Sequence, residues 1–397
     1  MARIDTTRRT LLGGMAGMAA IGAGGGYARG AVTPPSSPLA LSAVDVGGQL
    51  QLTRRAMEMY QRANPKLVSR INFSQAPAPE LPGKLQAQQN AGRLDIDLVL
   101  GGVDIVSNGV DLNLWTKLFP DHAASLPALQ PLLLPAAWDM QKLAQGQAVC
   151  VVFCPGGPLL EYMPDRVKQP PKTAQELLDY TRQNKNRFFY ARPANSGPGR
   201  VLLMGMPYIL GDSDPRDPVN GWSKTWSYLA ELGKNIEYYP TGTTATMKEL
   251  AEGSRDMVAS HVGWDINPRA LGVVPKEAAI TTLKGFHFVT DAQYMAIPKG
   301  IAPERVAVLL DLISYMLTKP AQATTYDKGY FYPGPSVRDV PLSMAPADSQ
   351  EVIKEYGRGD FYPKLFAETP MDTQLGAKQL VYAFERWDKE VGAKVGK

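Results

Sequence analysis

The chain has 397 residues, 44% of them apolar, 9% aromatic and 20% charged, with a formal net charge of +4. Residues 1–30 carry Arg3, Arg8, Arg9 and Arg29 against Asp5, so the remainder lies near +1 and offers no electrostatic footprint for nucleic acid or an anionic membrane. A polybasic binder is excluded, and the composition is that of a soluble globular protein.

The N-terminus reads as an address. Thr6-Thr7-Arg8-Arg9-Thr10-Leu11-Leu12 sets paired arginines before an apolar run to Ile21 diluted by Gly and Ala, with small residues near Gly26-Tyr27-Ala28 for cleavage. This is the pattern of a Tat-type signal peptide over residues 1–31, with an ordinary Sec signal as the alternative, and either route places the mature protein in the periplasm. No cysteine precedes Cys150, so a freely diffusing protein without a lipid anchor is expected; a monomer is expected as well.

After the signal roughly 365 residues remain, which suits two lobes better than one core. Leu39 to Val44, Ile71 to Phe73 and Ile96 to Leu100 read as strands, separated by amphipathic helices over Leu52 to Ala63 and Leu81 to Gln89. The alternation restarts after the Pro-rich stretch 127–135. Strands are expected at Ala148 to Phe153, Phe188 to Ala191, Ile236 to Tyr239, Met257 to Val262, Phe286 to Thr290 and Tyr294 to Ile297. Helices are expected at Ala174 to Gln183, from Arg200, at Trp222 to Leu232, at Thr244 to Ala251 and from Pro303 to Leu317. Strand–helix alternation of this kind implies βαβ units and a mostly parallel sheet.

Cys150 and Cys154 fall four apart on one expected strand, ~13 Å apart and beyond the ~7 Å reach of a disulfide, so both thiols are expected free and buried. Enzyme signatures are missing: there is no G-x-S-x-G elbow, no phosphate loop and no H-E-x-x-H, and the three histidines are scattered. No catalytic residue, metal site or cofactor is assigned. Asp212-Ser213-Asp214-Pro215-Arg216-Asp217 fails as a calcium loop because Arg216 occupies a ligand position.

A loop rich in Gly, Ser, Asp or Asn recurs at the C-terminal end of a strand: Asp45-Val46-Gly47-Gly48, Gly101-Gly102-Val103-Asp104, Asn195-Ser196-Gly197 and Trp264-Asp265-Ile266-Asn267. Open α/β sheets bind ligands outside the carboxyl ends of their strands. Four such loops in two lobes point to a cleft for a small-molecule solute.

Several segments in order then carry a resemblance. Leu250-Ala251-Glu252-Gly253-Ser254-Arg255-Asp256 runs on to Gly263-Trp264-Asp265; Tyr294-Met295-Ala296-Ile297-Pro298-Lys299-Gly300 follows, then the helix Val306 to Leu317 and Thr318-Lys319-Pro320-Ala321-Gln322. Leu98-Val99-Leu100 with Asp104 matches an early ligand loop. The chain resembles bacterial extracellular solute-binding proteins serving polyamine, iron and related ABC importers. The resemblance implies an α/β fold of periplasmic-binding-protein type II, two Rossmann-like lobes with a hinge. It divides the chain into lobe 1 (39–147 plus roughly 290–335) and lobe 2 (148–289 plus roughly 336–397), crossed at Gln147 to Cys154 and Phe286 to Pro298. It implies the permease subunits of an inner-membrane ABC transporter as partners. It also implies that Asp45, Asp104, Ser107, Ser196, Trp264 and Asp265 face the cleft. One departure stands at the first crossing, where Cys154-Pro155-Gly156-Gly157 replaces the family's Tyr-Asn pair.

The expected ligand-binding set is therefore Asp45, Gly47, Gly102, Asp104, Ser107, Asn195, Ser196, Gly197, Trp264, Asp265, Asp291 and Tyr294. Four carboxylates with Trp264 and Tyr294 favour an organic cation of polyamine type. Arg192 and Arg200 beside the Asn195 loop keep an organic anion open. Iron is disfavoured, because Tyr238 and Tyr239 are adjacent on an expected strand and point to opposite faces. A Tat-exported periplasmic enzyme and a solute sensor for a receptor remain as alternatives.

Overall fold

A computed structural model of the chain describes residues 32–77 and 80–394; the export signal read in residues 1–31 lies outside them. Its strands are β1 (Leu39–Asp45), β2 (Val68–Gln75), β3 (Leu98–Gly101), β4 (Ala148–Cys154), β5 (Leu159–Tyr162), β6 (Phe188–Phe189), β7 (Met257–Ser260), β8 (Ala279–Thr281), β9 (Phe288–Ala296), β10 (Gly334–Pro335) and β11 (Met371–Thr373). They form two sheets, in the orders β10-β4-β9-β3-β1-β2, with β11 beside β9, and β6-β7-β5-β8. β1 pairs in parallel with β2 and β3, and β9 runs antiparallel to β3 and β4. The helix Leu50–Ala63 connects β1 to β2 and buries Leu52, Ala56, Met57 and Tyr60 at helical spacing, which covers the sheet and makes the parallel crossover possible.

β4 is buried at every residue, and its all-apolar sequence suits an interior strand covered on both faces. A register shift between Cys150 and Val152 breaks its ladder with β9. Two glutamines satisfy the backbone there. Gln141 donates to the Ala148 carbonyl at 2.8 Å and accepts from the Cys150 N–H at 2.7 Å, and Gln322 donates to the Val151 carbonyl at 2.8 Å. Leaving any one of these groups unpaired in the core would cost ~1–3 kcal/mol. Both cysteines are free and buried, and burial raises both thiols far above the ordinary thiol range.

Two segments connect the sheets. After β4 the chain passes through Pro155–Pro158 into β5 of the second sheet. β9 leads back: Val289 packs in the second sheet's core, and Ala292 with Tyr294–Ile297 in the first. The two strands expected at 286–290 and 294–297 are this one nine-residue strand. The glycines that replace the family's Tyr-Asn pair have a steric reason. Gly156 has φ +67°, and a Cβ there would lie 2.3 Å from the Val289 carbonyl oxygen, so the two crossings touch backbone to backbone.

Three other expectations shift. Ile236–Tyr239 is not a strand; Tyr239 instead packs on Tyr190 and Trp387, with ring centroids 4.9 and 4.8 Å away. The helix expected from Arg200 starts at Gly197, because Ser196 caps it. Residues beyond 336 do not join the second lobe as a block. Val337, Val340 and Ala345 pack in the first core, Leu375, Leu380 and Trp387 in the second, and Ile353 and Tyr362 with Cys154, Val262 and Phe288 at the crossing.

Candidate ligand-binding cleft

From the first lobe, β1 delivers Asp45 at its carboxyl end, followed by Gly47 in a left-handed conformation (φ +92°) where a Cβ would meet open space. Asp45 Oδ1 accepts from the Gln49 N–H at 2.8 Å. Its Oδ2 is buried with no hydrogen-bond partner among the described residues, as is Gln49 Oε1. Burial outweighs the backbone N–H groups and raises the Asp45 carboxyl above the usual range. β3 ends in Gly101, and Gly102 caps the helix Val103–Asp111, placing Asp104 in its first turn and the half-buried Ser107 one turn on. β9 contributes Asp291, which accepts from its neighbour's Ala292 N–H and from Gln374 Nε2, both at 2.8 Å. Burial raises Asp291 too; Arg200 opposes that shift and Asp104 adds to it.

From the second lobe, the helix Gly197–Leu210 carries Arg200, whose Nη2 lies 3.8 Å from Asp104 Oδ2 across the cleft. The loop after β7 carries Trp264, half-buried, with its Nε1–H unpartnered among the described residues. Gly263 sets the loop's position. At φ +90°, a Cβ there would sit 2.6–2.7 Å from the Gly329 and Tyr330 carbonyl oxygens and the Tyr332 nitrogen. The loop is thereby pressed onto 329–332, and Trp264 meets Tyr330 edge to face at 5.2 Å. Tyr330 is raised by burial and then by the charges of Asp45, Asp327 and Asp291, which ties it to the first lobe's carboxylates.

The structure thus brings Asp45, Gly102, Asp104, Asp291 and Trp264 of the expected set toward one another through Gln49, Arg200 and Tyr330, while Gly47 and Ser107 follow Asp45 and Asp104 in the chain. It removes two members. Asp265 is 0% exposed: Tyr362 donates to Oδ1, Arg358 Nε donates to Oδ2 at 2.8 Å, and Arg269 Nη2 lies 3.5 Å away. Beside it Glu161 is also fully buried and pushed up to about 8 by burial, with the Asp265 charge adding to the shift. Asp265 therefore belongs to a core network. Tyr294 is 1% exposed, with its hydroxyl donating to the Met140 carbonyl at 2.8 Å. It points to the β9 face opposite Asp291, because side chains alternate along a strand.

The Asn195 loop also differs from expectation. Asn195 is exposed; Ser196 is buried, accepts from the Gly199 N–H at 3.2 Å and bonds Thr243 at 2.7 Å. Gly197 abuts His261, whose Nε2 would lie 3.0 Å from a Cβ there. His261 Nδ1 bonds the Val262 carbonyl, and burial lowers the ring to about 4, so it is neutral at pH 7. Arg192 pairs instead with Asp388 at 2.9 Å. Tyr330 and Gln49 were missed in the sequence. The aromatic run Tyr330-Phe331-Tyr332 behind Gly329 was the available signal.

Carboxylates with an unpartnered oxygen, an aromatic corner and a free indole N–H suit a ligand with one cationic group and a hydrogen-bond acceptor. Among the described residues no group of three or more His, Cys, Asp or Glu side chains is placed to hold a metal ion.

Residues 55–354 match the model of the bacterial extracellular solute-binding protein family. The thiamine-binding periplasmic protein of Salmonella typhimurium is 26% identical over 221 residues, a region covering 51% of this chain and 62% of that relative, so the match spans less than two thirds of the relative's length. Among solved structures, a periplasmic thiamin binding protein superposes with a TM-score of 0.62 at 15% identity, covering 93% of this chain and 100% of the other. A putative spermidine/putrescine ABC transporter protein from Listeria monocytogenes superposes with a TM-score of 0.60 at 15% identity, covering 88% and 98%. The chain belongs to the bacterial extracellular solute-binding protein family, and its two-lobed α/β fold is that of periplasmic binding proteins.

Proposed function

We propose that this protein is the substrate-binding component of an ABC importer, exported through a Tat-type signal to the periplasm. It works there as a monomer without catalysis, captures a small organic cation between its lobes and delivers it to the permease subunits. The observation that carries the charge of the ligand is the cleft itself: Asp45 and Asp291 act on Tyr330 at the Trp264–Tyr330 corner, Asp104 stands beside Asp291, and the single cation Arg200, which pairs with Asp104 and also acts on Asp291, cannot offset all three carboxylates. Thiamine and the polyamines, named in two of the similar proteins, are cations. Lobe closure would exclude water and strengthen each charge contact.

A thermal-shift screen of the exported protein tests this. Thiamine, putrescine, spermidine and quaternary ammonium compounds are compared with citrate, benzoate and phosphosugars. Stabilisation confined to cations supports the reading; stabilisation by anions alone contradicts it.

A further inference from the structure

Arg200 stands apart from the other cleft groups because it is a cation supplied by the protein. Its helix packs Leu202, Leu203 and Met204 into the second core, whereas Asp104 stands on a helix that packs Val103, Ile105 and Val106 into the first. Their 3.8 Å contact therefore crosses the cleft. The guanidinium is backed by Phe384, 5.5 Å from its ring centre, and only 14% of the side chain is exposed. Nε is buried and unpartnered among the described residues, and the guanidinium lies near two carboxylates, Asp104 by contact and Asp291 by its charge.

We infer that Arg200 is a specificity-determining residue: a resident counter-ion that pairs with Asp104, partly offsets Asp291 and so leaves the carboxylates beside Tyr330 and Trp264 with charge for only a single cationic group on the ligand. This rests on the cation-capture reading above. A second cationic group entering the cleft would have to displace Arg200 from Asp104 and meet the like charge it leaves behind. The site consequently selects monocations with an aromatic or apolar body over linear diamines. Without the arginine, Asp104 is released, the cleft gains one unit of uncompensated negative charge, and a diamine can be neutralised at both ends.

The test is calorimetry with two probes, benzyltrimethylammonium and putrescine, on wild type, Arg200→Met, Arg200→Lys and Asp104→Asn, each checked by its melting temperature. Wild type is expected to bind the monocation at least ~10-fold more tightly than putrescine. Arg200→Met should tighten putrescine by about tenfold or more and change the monocation by less than about threefold. Arg200→Lys should keep the wild-type preference. Asp104→Asn unpairs the guanidinium, so it should weaken the monocation and give putrescine no gain. If wild type binds the monocation and a folded Arg200→Met gains nothing for putrescine, the inference fails and the capture reading stands. If Arg200→Met does not fold, an unweakened monocation in Asp104→Asn overturns the inference. If neither probe binds wild type or any folded variant, both fall.

Discussion

The indole of Trp264 and the phenol ring of Tyr330 meet edge to face, with centroids 5.2 Å apart and planes at 86°. Trp264 rides on the loop after β7 and packs against the second core; Tyr330 packs against the first. The pair is therefore a contact between lobes, and the Tyr330 side of it feels the charges of Asp45 and Asp291. Replacing Trp264 by Ala should weaken cation binding by roughly 1–3 kcal/mol, about ten- to a hundredfold, with little loss of stability, because the ring is only half-buried. Calorimetry paired with a melt separates this from a packing role. Unchanged affinity with a large drop in melting temperature contradicts it.

Its neighbour Asp265 should behave in the opposite way. Asp265→Ala strands Arg358 and Arg269 without their shared carboxylate in the core. Breaking a buried pair from one side costs ~3–5 kcal/mol. The variant should show a strongly lowered denaturation midpoint. In whatever fraction remains folded, the affinity per folded molecule should be close to wild type.

That contrast shows what was legible in the sequence. The apolar run Met257-Val258-Ala259 marked a buried strand, and Gly263 marked the turn, so Trp264 could be placed at a strand end. What separates Trp264 from Asp265 comes from Arg358 and Tyr362, more than ninety residues later, and nothing local announces that they close over the carboxylate. Tyr294 was misplaced for a different reason. The single strand β9 was read as two pieces, which put Tyr294 at an end when it lies inside a nine-residue strand on the core face. Tyr330 enters the cleft only through the close approach of Gly263 to residues 329–332, a tertiary contact. The alternation of strands and helices is local and legible from periodicity, whereas the antiparallel pairings of β9 with β3 and β4 and of β5 with β7 and β8 are set by tertiary partners and are not.

Glu161 sets a pH signature. It titrates at about 8 in the folded protein against an ordinary 4.5, so between these values the folded state holds a proton that the unfolded chain has released. Its contribution to stability is complete below pH 4.5 and declines as pH rises through about 8, with a slope of up to ~1.4 kcal/mol per pH unit. Buried His261, lowered to about 4 from 6.5, works in the other direction: its contribution is present above pH 6.5 and is lost as pH falls through about 4. Glu161→Gln should flatten the alkaline side of the stability profile and leave the acid side intact, read by urea unfolding at pH 5 to 9. An unchanged alkaline slope contradicts the assignment.

Cation affinity should depend on pH through Asp45 and Asp291. Burial raises both, so in the empty cleft they hold protons at a pH where exposed carboxylates are ionised. A bound cation favours the charged forms, so binding releases protons and affinity falls as pH is lowered through the raised range. Calorimetry in buffers of different ionisation enthalpy at mildly acid pH should show proton release; proton uptake on binding would contradict the sign.

Cation capture assigns the ligand's charge to the carboxylates of the first lobe. It is tested most directly by titrating benzyltrimethylammonium, and its anionic counterpart benzoate, into wild type and into the Asp45→Asn/Asp291→Asn double variant. Wild type is expected to bind the ammonium and not benzoate, and the double variant to lose at least ~10-fold in ammonium affinity while remaining folded. Equal ammonium affinity in a folded double variant, or benzoate binding to wild type in preference to the ammonium, would contradict it.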